Sequence, residues 1–109
     1  MISEEDIDKA LAYLRDNATA DAQARAERLY LEQYLKTVLA VEQAKVAAPS
    51  MAAAEMQARA SGPFMAILEA YKMAIFSDEK RKFLRSAAET KIEAWRTMCS
   101  NARAEGKAY

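Results

Sequence analysis

The sequence is most informative in what it leaves out. Histidine does not occur, and cysteine occurs once, as Cys99. Without histidine there is no imidazole to act as general base, and no histidine–cysteine cluster to hold zinc. A lone thiol with no histidine partner is a poor candidate for an activated nucleophile, and one cysteine cannot form an internal disulfide. The expectation is a chain with no enzymatic activity, no metal and no cofactor. Only two glycines and two prolines occur in 109 residues. Tight turns between strands draw on these residues, so a β or mixed fold is hard to build from this composition. No apolar run approaches the ~20 residues that a membrane span needs. The first residues are acidic where a secretory leader would be basic and then apolar, so the expected setting is the cytoplasm.

What is present points to helices. Ala, Glu, Lys, Arg, Leu and Met dominate, and all of them favour the helix. Apolar residues make up 52% of the chain, but many are alanines, which bury little area each. The large apolar side chains are sparse. Close helix packing, self-association or both are therefore expected to supply the core of a single helical domain spanning residues 1–109.

Ser3-Glu4-Glu5-Asp6 has the pattern of a helix N-cap followed by acids in the first turn. Ile7, Ala10, Leu11 and Leu14 then fall at helical spacing, and a short first helix is expected to end near Arg15 to Asn17. A long helix is expected from about 19 to about 47, with Leu31, Tyr34, Leu35, Val38 and Val41 on its apolar stripe and Tyr30 beside it. Pro49-Ser50 marks a stop and a new cap, predicting a short helix over 51–59. Ser61-Gly62-Pro63 is the strongest break, and Pro63 suits the first turn of the next helix. Phe64, Ile67, Leu68, Tyr71 and Ile75 make its inner face. Ser77-Asp78-Glu79 could cap a further helix, but no glycine or proline interrupts the pattern, and one long helix to Arg103 is expected. Its apolar band continues through Phe83, Leu84, Ala87, Ala88, Ile92, Trp95 and Cys99, and the tail from Ala104 to Tyr109 is expected to fray. The fold class predicted is all-α: a long antiparallel helical hairpin with a short N-terminal helix and a short connector helix, assembling as an oligomer.

Net charge is zero, but its distribution is polarised. Residues 1–32 carry eight acids and four bases, residues 33–79 five and four, and residues 80–109 three and eight. The basic candidates are Lys80, Arg81, Lys82, Arg85, Arg96 and Arg103. At about 100° per residue, Arg85, Arg96 and Arg103 project within roughly 20° of one another, and Arg81 lies near the same line. Such a row can meet successive phosphates, with Phe83 or Trp95 stacking on bases. The plainer reading is a solvated helix face, with Glu89 four residues after Arg85 in reach of intrahelical pairing. Trp95, between Ile92 and Cys99, suits packing better than a ligand stack. Met51, Met56, Met65 and Met73 cluster around Gly62, either filling an irregular corner or offering an adaptable partner surface.

Three stretches carry a resemblance: Ile7-Asp8-Lys9-Ala10-Leu11-Ala12-Tyr13-Leu14-Arg15-Asp16-Asn17, Arg25-Ala26-Glu27-Arg28-Leu29-Tyr30-Leu31-Glu32, and Ala88-Glu89-Thr90-Lys91-Ile92-Glu93-Ala94-Trp95-Arg96-Thr97. They resemble small helical proteins encoded by tailed phages and prophages of proteobacteria near recombination genes. The layout is more distantly similar to the UvsY-type recombination mediator of T4-like phages. The resemblance implies a non-enzymatic accessory protein of DNA recombination, in the cytoplasm of an infected or lysogenic bacterium. It would be a homo-oligomer associated with single-stranded DNA and a recombinase, with no membrane and no small-molecule substrate. The alternative is a phage inhibitor or adaptor that binds a host defence or polymerase protein. A purely structural helical oligomer is the third reading.

Overall fold

In a computed structural model, residues 1–106 are described. They form three α-helices and, among the described residues, no strand: α1 (Glu4–Ala44), α2 (Met51–Arg59) and α3 (Gly62–Ala104). The caps expected from the sequence are in place. The Ser3 hydroxyl accepts from the Asp6 amide at 3.1 Å, and Asp6 Oδ2 accepts from the Ser3 amide at 2.9 Å. This reciprocal pair closes the start of α1. Ser50 caps α2 by accepting from the Ala53 amide at 3.1 Å. Ser61 serves two helices. Its hydroxyl donates to the Ala58 carbonyl at 2.6 Å and accepts from the Phe64 amide at 3.3 Å. Pro63 sits in the first turn of α3, where its missing N–H costs no helical bond.

Two boundaries differ from the sequence expectation. No break occurs near Asn17; the short first helix and the long second one are a single helix of 41 residues. Asn17 stays helical because its side-chain amide donates to the Tyr13 carbonyl at 2.9 Å, one turn back. The competing polar group is thereby satisfied within the helix, and the alanines at 18, 20 and 22 continue it. At its other end α1 stops at Ala44, three residues short of the expected point. The Lys45 and Val46 amides bond three residues back, to Glu42 and Gln43. Pro49, a few residues on, disfavours the helical conformation at Ala48. By contrast α3 runs unbroken past Ser77 for 43 residues. It closes at Gly106, whose φ of 76° is the left-handed conformation glycine adopts most easily at a helix end. The expected fraying of the last residues falls partly on 107–109, outside the described residues.

The chain divides into two compact units, one of Met1–Asp21 with the chain from Lys80 onward, the other Ala22–Glu79. In the first unit, the start of α1 pairs antiparallel with the C-terminal half of α3. Its covered line on α1 is Ile7, Ala10, Leu14, Asn17 and Asp21; on α3 it is Arg81, Arg85, Ala88, Ile92, Trp95, Cys99 and Ala102. In the second unit, the rest of α1 pairs antiparallel with the start of α3, and α2 closes the turn. Ala24, Arg28, Leu31, Leu35 and Val38 face inward from α1, and Phe64, Ile67, Tyr71, Ala74 and Asp78 from α3. Ala54 and Ala58 are the buried residues of α2, and the Arg59 guanidinium lies 5.8 Å from the centre of the Phe64 ring.

Each of these lines advances by alternating steps of three and four residues. That is a repeat of about 3.5, the spacing of a coiled-coil seam. Alanine at Ala10, Ala24, Ala74, Ala88 and Ala102 lets backbones approach closely, at the cost of apolar area.

Candidate functional site

The seam is apolar away from the unit boundary and charged beside it. In the first unit Asp21, only 9% exposed, lies between two arginines of α3. Arg81 Nη1 is 3.3 Å from Asp21 Oδ1, and Arg85 Nη1 is 3.2 Å from Oδ2. Arg85 also approaches Glu89 at 4.0 Å. In the second unit the arrangement is inverted. Arg28 Nη1 donates to Glu79 Oε1 at 2.9 Å and to Asp78 Oδ2 at 3.2 Å. Glu79 first, then Asp78, raises the Arg28 pKa above its ordinary value. Among the described residues no buried side-chain N or O atom is without a hydrogen-bond partner.

The six basic residues singled out in the sequence are therefore not one group. Arg81 and Arg85 are half-buried on the seam and committed to Asp21. Arg96 is exposed and paired with Glu93 at 3.2 Å. Lys80, Lys82 and Arg103 are exposed, and their side chains have no ion pair or hydrogen bond among the described residues. The common line drawn through Arg85, Arg96 and Arg103 assumed a straight helix. On a repeat of about 3.5 residues, Arg96 and Arg103 lie roughly 50° round from Arg85. They point outward while Arg85 stays at the seam.

Charge polarity along the sequence is also largely cancelled inside the first unit. Its α1 part carries six acids and two bases, and its α3 part three acids and eight bases, so the unit has a net charge of +1. The second unit has seven acids and six bases, a net charge of −1. Asp21 and Arg28, which decide where the arginines of the seam go, were not among the sequence candidates. The signal for them is the three-four spacing itself, which runs through both positions without a break.

A shallow groove of about 290 Å³ lies in the first unit, lined by Asp6, Lys9, Ala10, Tyr13, Leu84, Ala87, Ala88 and Lys91. The Ser3 amide and then the Ser3 hydroxyl hold the Asp6 carboxyl below its ordinary pKa, with Lys91 and Lys9 adding smaller effects in the same direction. No group of three or more metal-ligating side chains occurs among the described residues. Nor is any of their helices long and apolar enough to cross a membrane.

Family models, curated proteins and solved structures give no match to this chain. Its surface is therefore read from its own chemistry.

Apolar exposure dominates that surface. Tyr30 and Tyr34 stack on the outside of α1 with ring centres 5.7 Å apart. Met51, Met56, Met65, Met73 and Phe76 are exposed in the second unit, so the methionines do not fill an interior corner. In the first unit Phe83 is 70% exposed, preceded in sequence by Lys80 and Lys82. Among the described residues no large side chain is fully enclosed.

Proposed function

We propose that this chain is a non-enzymatic helical interaction protein that works as an oligomer, completing its core against a further helical surface. The observation behind this reading is that, among the described residues, no large side chain is fully enclosed while several methionines and aromatics are half-exposed or more. Large apolar side chains left in water, among them the stacked pair Tyr30 and Tyr34, are what an interaction surface presents. Sedimentation velocity over a hundredfold range of concentration tests it. The expected result is a mass above that of one chain, rising with concentration. A single species at the mass of one chain throughout overturns the oligomeric reading.

A second reading is the single-stranded-DNA-associated recombination accessory that the phage resemblance implies. One observation favours it: Lys80, Lys82 and Arg103 are exposed and uncommitted, and Phe83 is available for stacking beside two of them. Three phosphate contacts give log affinity a slope against log salt of about −2; six would give about −4. Anisotropy titrations of a labelled single strand measure that slope. A value near −2, lowered by K80A/K82A, supports DNA binding through the free cations. No binding at low salt sinks it.

A further inference from the structure

The outward face of α3 in the second unit carries an order that the seam does not require. Phe64, Ile67, Tyr71 and Ala74 turn one side of α3 into their own unit, and Met65, Leu68, Glu69, Lys72, Met73 and Phe76 are exposed. Met65 is 51% exposed, Met73 59% and Phe76 65%. On a repeat of about 3.5 residues, Met65 and Lys72 share one line along the helix, and Glu69 and Phe76 share the adjacent line. Leu68 and Met73 flank the pair of lines on opposite sides. Neither Glu69 nor Lys72 has an ion-pair or hydrogen-bond partner among the described residues, although they are three positions apart.

This face is its own complement when the chain direction is reversed. A two-fold axis level with the midpoint between Glu69 and Lys72, perpendicular to both helices, places Met65 on Phe76 of a second copy and Glu69 on Lys72, with Leu68 and Met73 on opposite edges of the contact. Every contact then occurs twice. Thioether meets ring, and acid meets base. We propose that this face of α3 binds the same face of a second copy of the chain, antiparallel and two-fold symmetric, giving a homodimer. The proposal rests on the oligomeric reading above and names its surface. A foreign helix would need only to complement this face; it would give no reason for the face to complement itself, which is the property of an isologous contact. With six residues over about three turns on each side, the contact belongs to the small, transient class.

Charge reversal separates this proposal from the reading beneath it. Sedimentation equilibrium is run on the full chain, on E69K, on K72E, and on an equimolar mixture of the two variants. Both positions are exposed, and circular dichroism verifies that the variants keep the helical content of the parent. Each variant alone sets two like-charged pairs across the axis, and dimerisation weakens about tenfold. In the mixture every pair is again acid against base, and association returns to the parental strength. High salt narrows the difference between parent and variants. If the parent self-associates but both variants do so equally well, or the mixture is no tighter than its components, this face is not the contact, and the oligomeric reading stands. A parent that stays monomeric overturns both.

Discussion

The two units solve the same problem with opposite signs. In the first, one carboxylate, Asp21, is held between two arginines; in the second, one arginine, Arg28, is held between two carboxylates. Each cluster sits in the part of the seam nearest the unit boundary, and apart from Asn17 apolar or small residues occupy the rest. A charged layer in a coiled-coil seam contributes little net stability, because desolvation offsets the attraction. Its better-supported effect is on register: sliding either strand would strand a charge against alanine or leucine. The two clusters differ in how tightly they enclose their central charge. The Asp21 side chain is 10% exposed, whereas Arg28 keeps about three times that share in water. The first cluster should therefore be the more sensitive to losing its centre.

Replacing that centre gives the largest expected effect. Asp21→Ala leaves Arg81 and Arg85 on the seam, four residues apart with like charge. Breaking a buried ion pair typically costs 3–5 kcal/mol, and the partial exposure of both arginines reduces this to about 2 kcal/mol here. A fall in thermal midpoint of roughly 10 °C, followed by circular dichroism, is the expected readout. Arg28→Met should lower the midpoint by less, and by an amount that shrinks with added salt, because Arg28 itself is nearer to water than Asp21. Replacing Asp21, Arg81 and Arg85 together with Leu, Met and Met should recover most of the loss, since an apolar seam has no charge left to strand. Equal effects of Asp21→Ala and Arg28→Met would remove the asymmetry between the units.

Little of this asymmetry was legible in the sequence, although most of the fold was. Ser3, Ser50 and Ser61-Gly62-Pro63 announced three helix starts through local chemistry, and local chemistry decided them. The lack of glycine or proline near Ser77 correctly left α3 whole. The same logic applied at Asn17 would have left α1 whole too; the polar stretch there reads as a break because a hydrophobic pattern pauses. It pauses because Asn17, Asp21 and Arg28 occupy seam positions, and the partners of Asp21 and Arg28 lie some fifty or sixty residues away in sequence. Arg81 and Arg85 looked like surface cations for the same reason. A periodicity of polar and apolar residues gives the face, but only the antiparallel partner reveals that a charge on it is answered.

A second test sharpens the contrast from the other side. The second unit contains α2, and its tightest point is Ala58, 1% exposed. Ala58→Leu inserts three carbons where no space exists, at a cost of about 1–2 kcal/mol. Native-state hydrogen exchange should register the loss in α2 and the start of α3. Amides of the first unit, including those around Ile92 and Trp95, should keep their protection. A uniform loss in both units would mean that they unfold as one, and the division between them would carry no energetic meaning.

The smallest effect expected is a difference in how the helix starts respond to acid. The α1 cap includes a carboxylate: Asp6 answers the Ser3 amide while the Ser3 hydroxyl answers the Asp6 amide. At the matching position of the α2 cap stands Ala53, which offers its amide to Ser50 and nothing that titrates. Because these bonds favour the charged form, the folded-state pKa of Asp6 lies below its ordinary 3.8. A lowered carboxyl pKa stabilises the folded state at pH above the ordinary value. That contribution fades as pH falls through the folded value, where Asp6 becomes protonated in both states. Acidification below about pH 4 should therefore loosen the first turn of α1 while the α2 start holds. Carboxyl chemical shifts of Asp6 followed against pH, beside amide exchange at residues 4–8 and 51–54, measure both halves of the statement. Ser3→Ala removes the hydroxyl that caps the Asp6 amide and should move the Asp6 midpoint upward, toward 3.8, without affecting the α2 amides. If Ser3→Ala leaves that midpoint where it is, the hydroxyl is not what holds it down, and the Ser3 amide, which the substitution keeps, carries the shift.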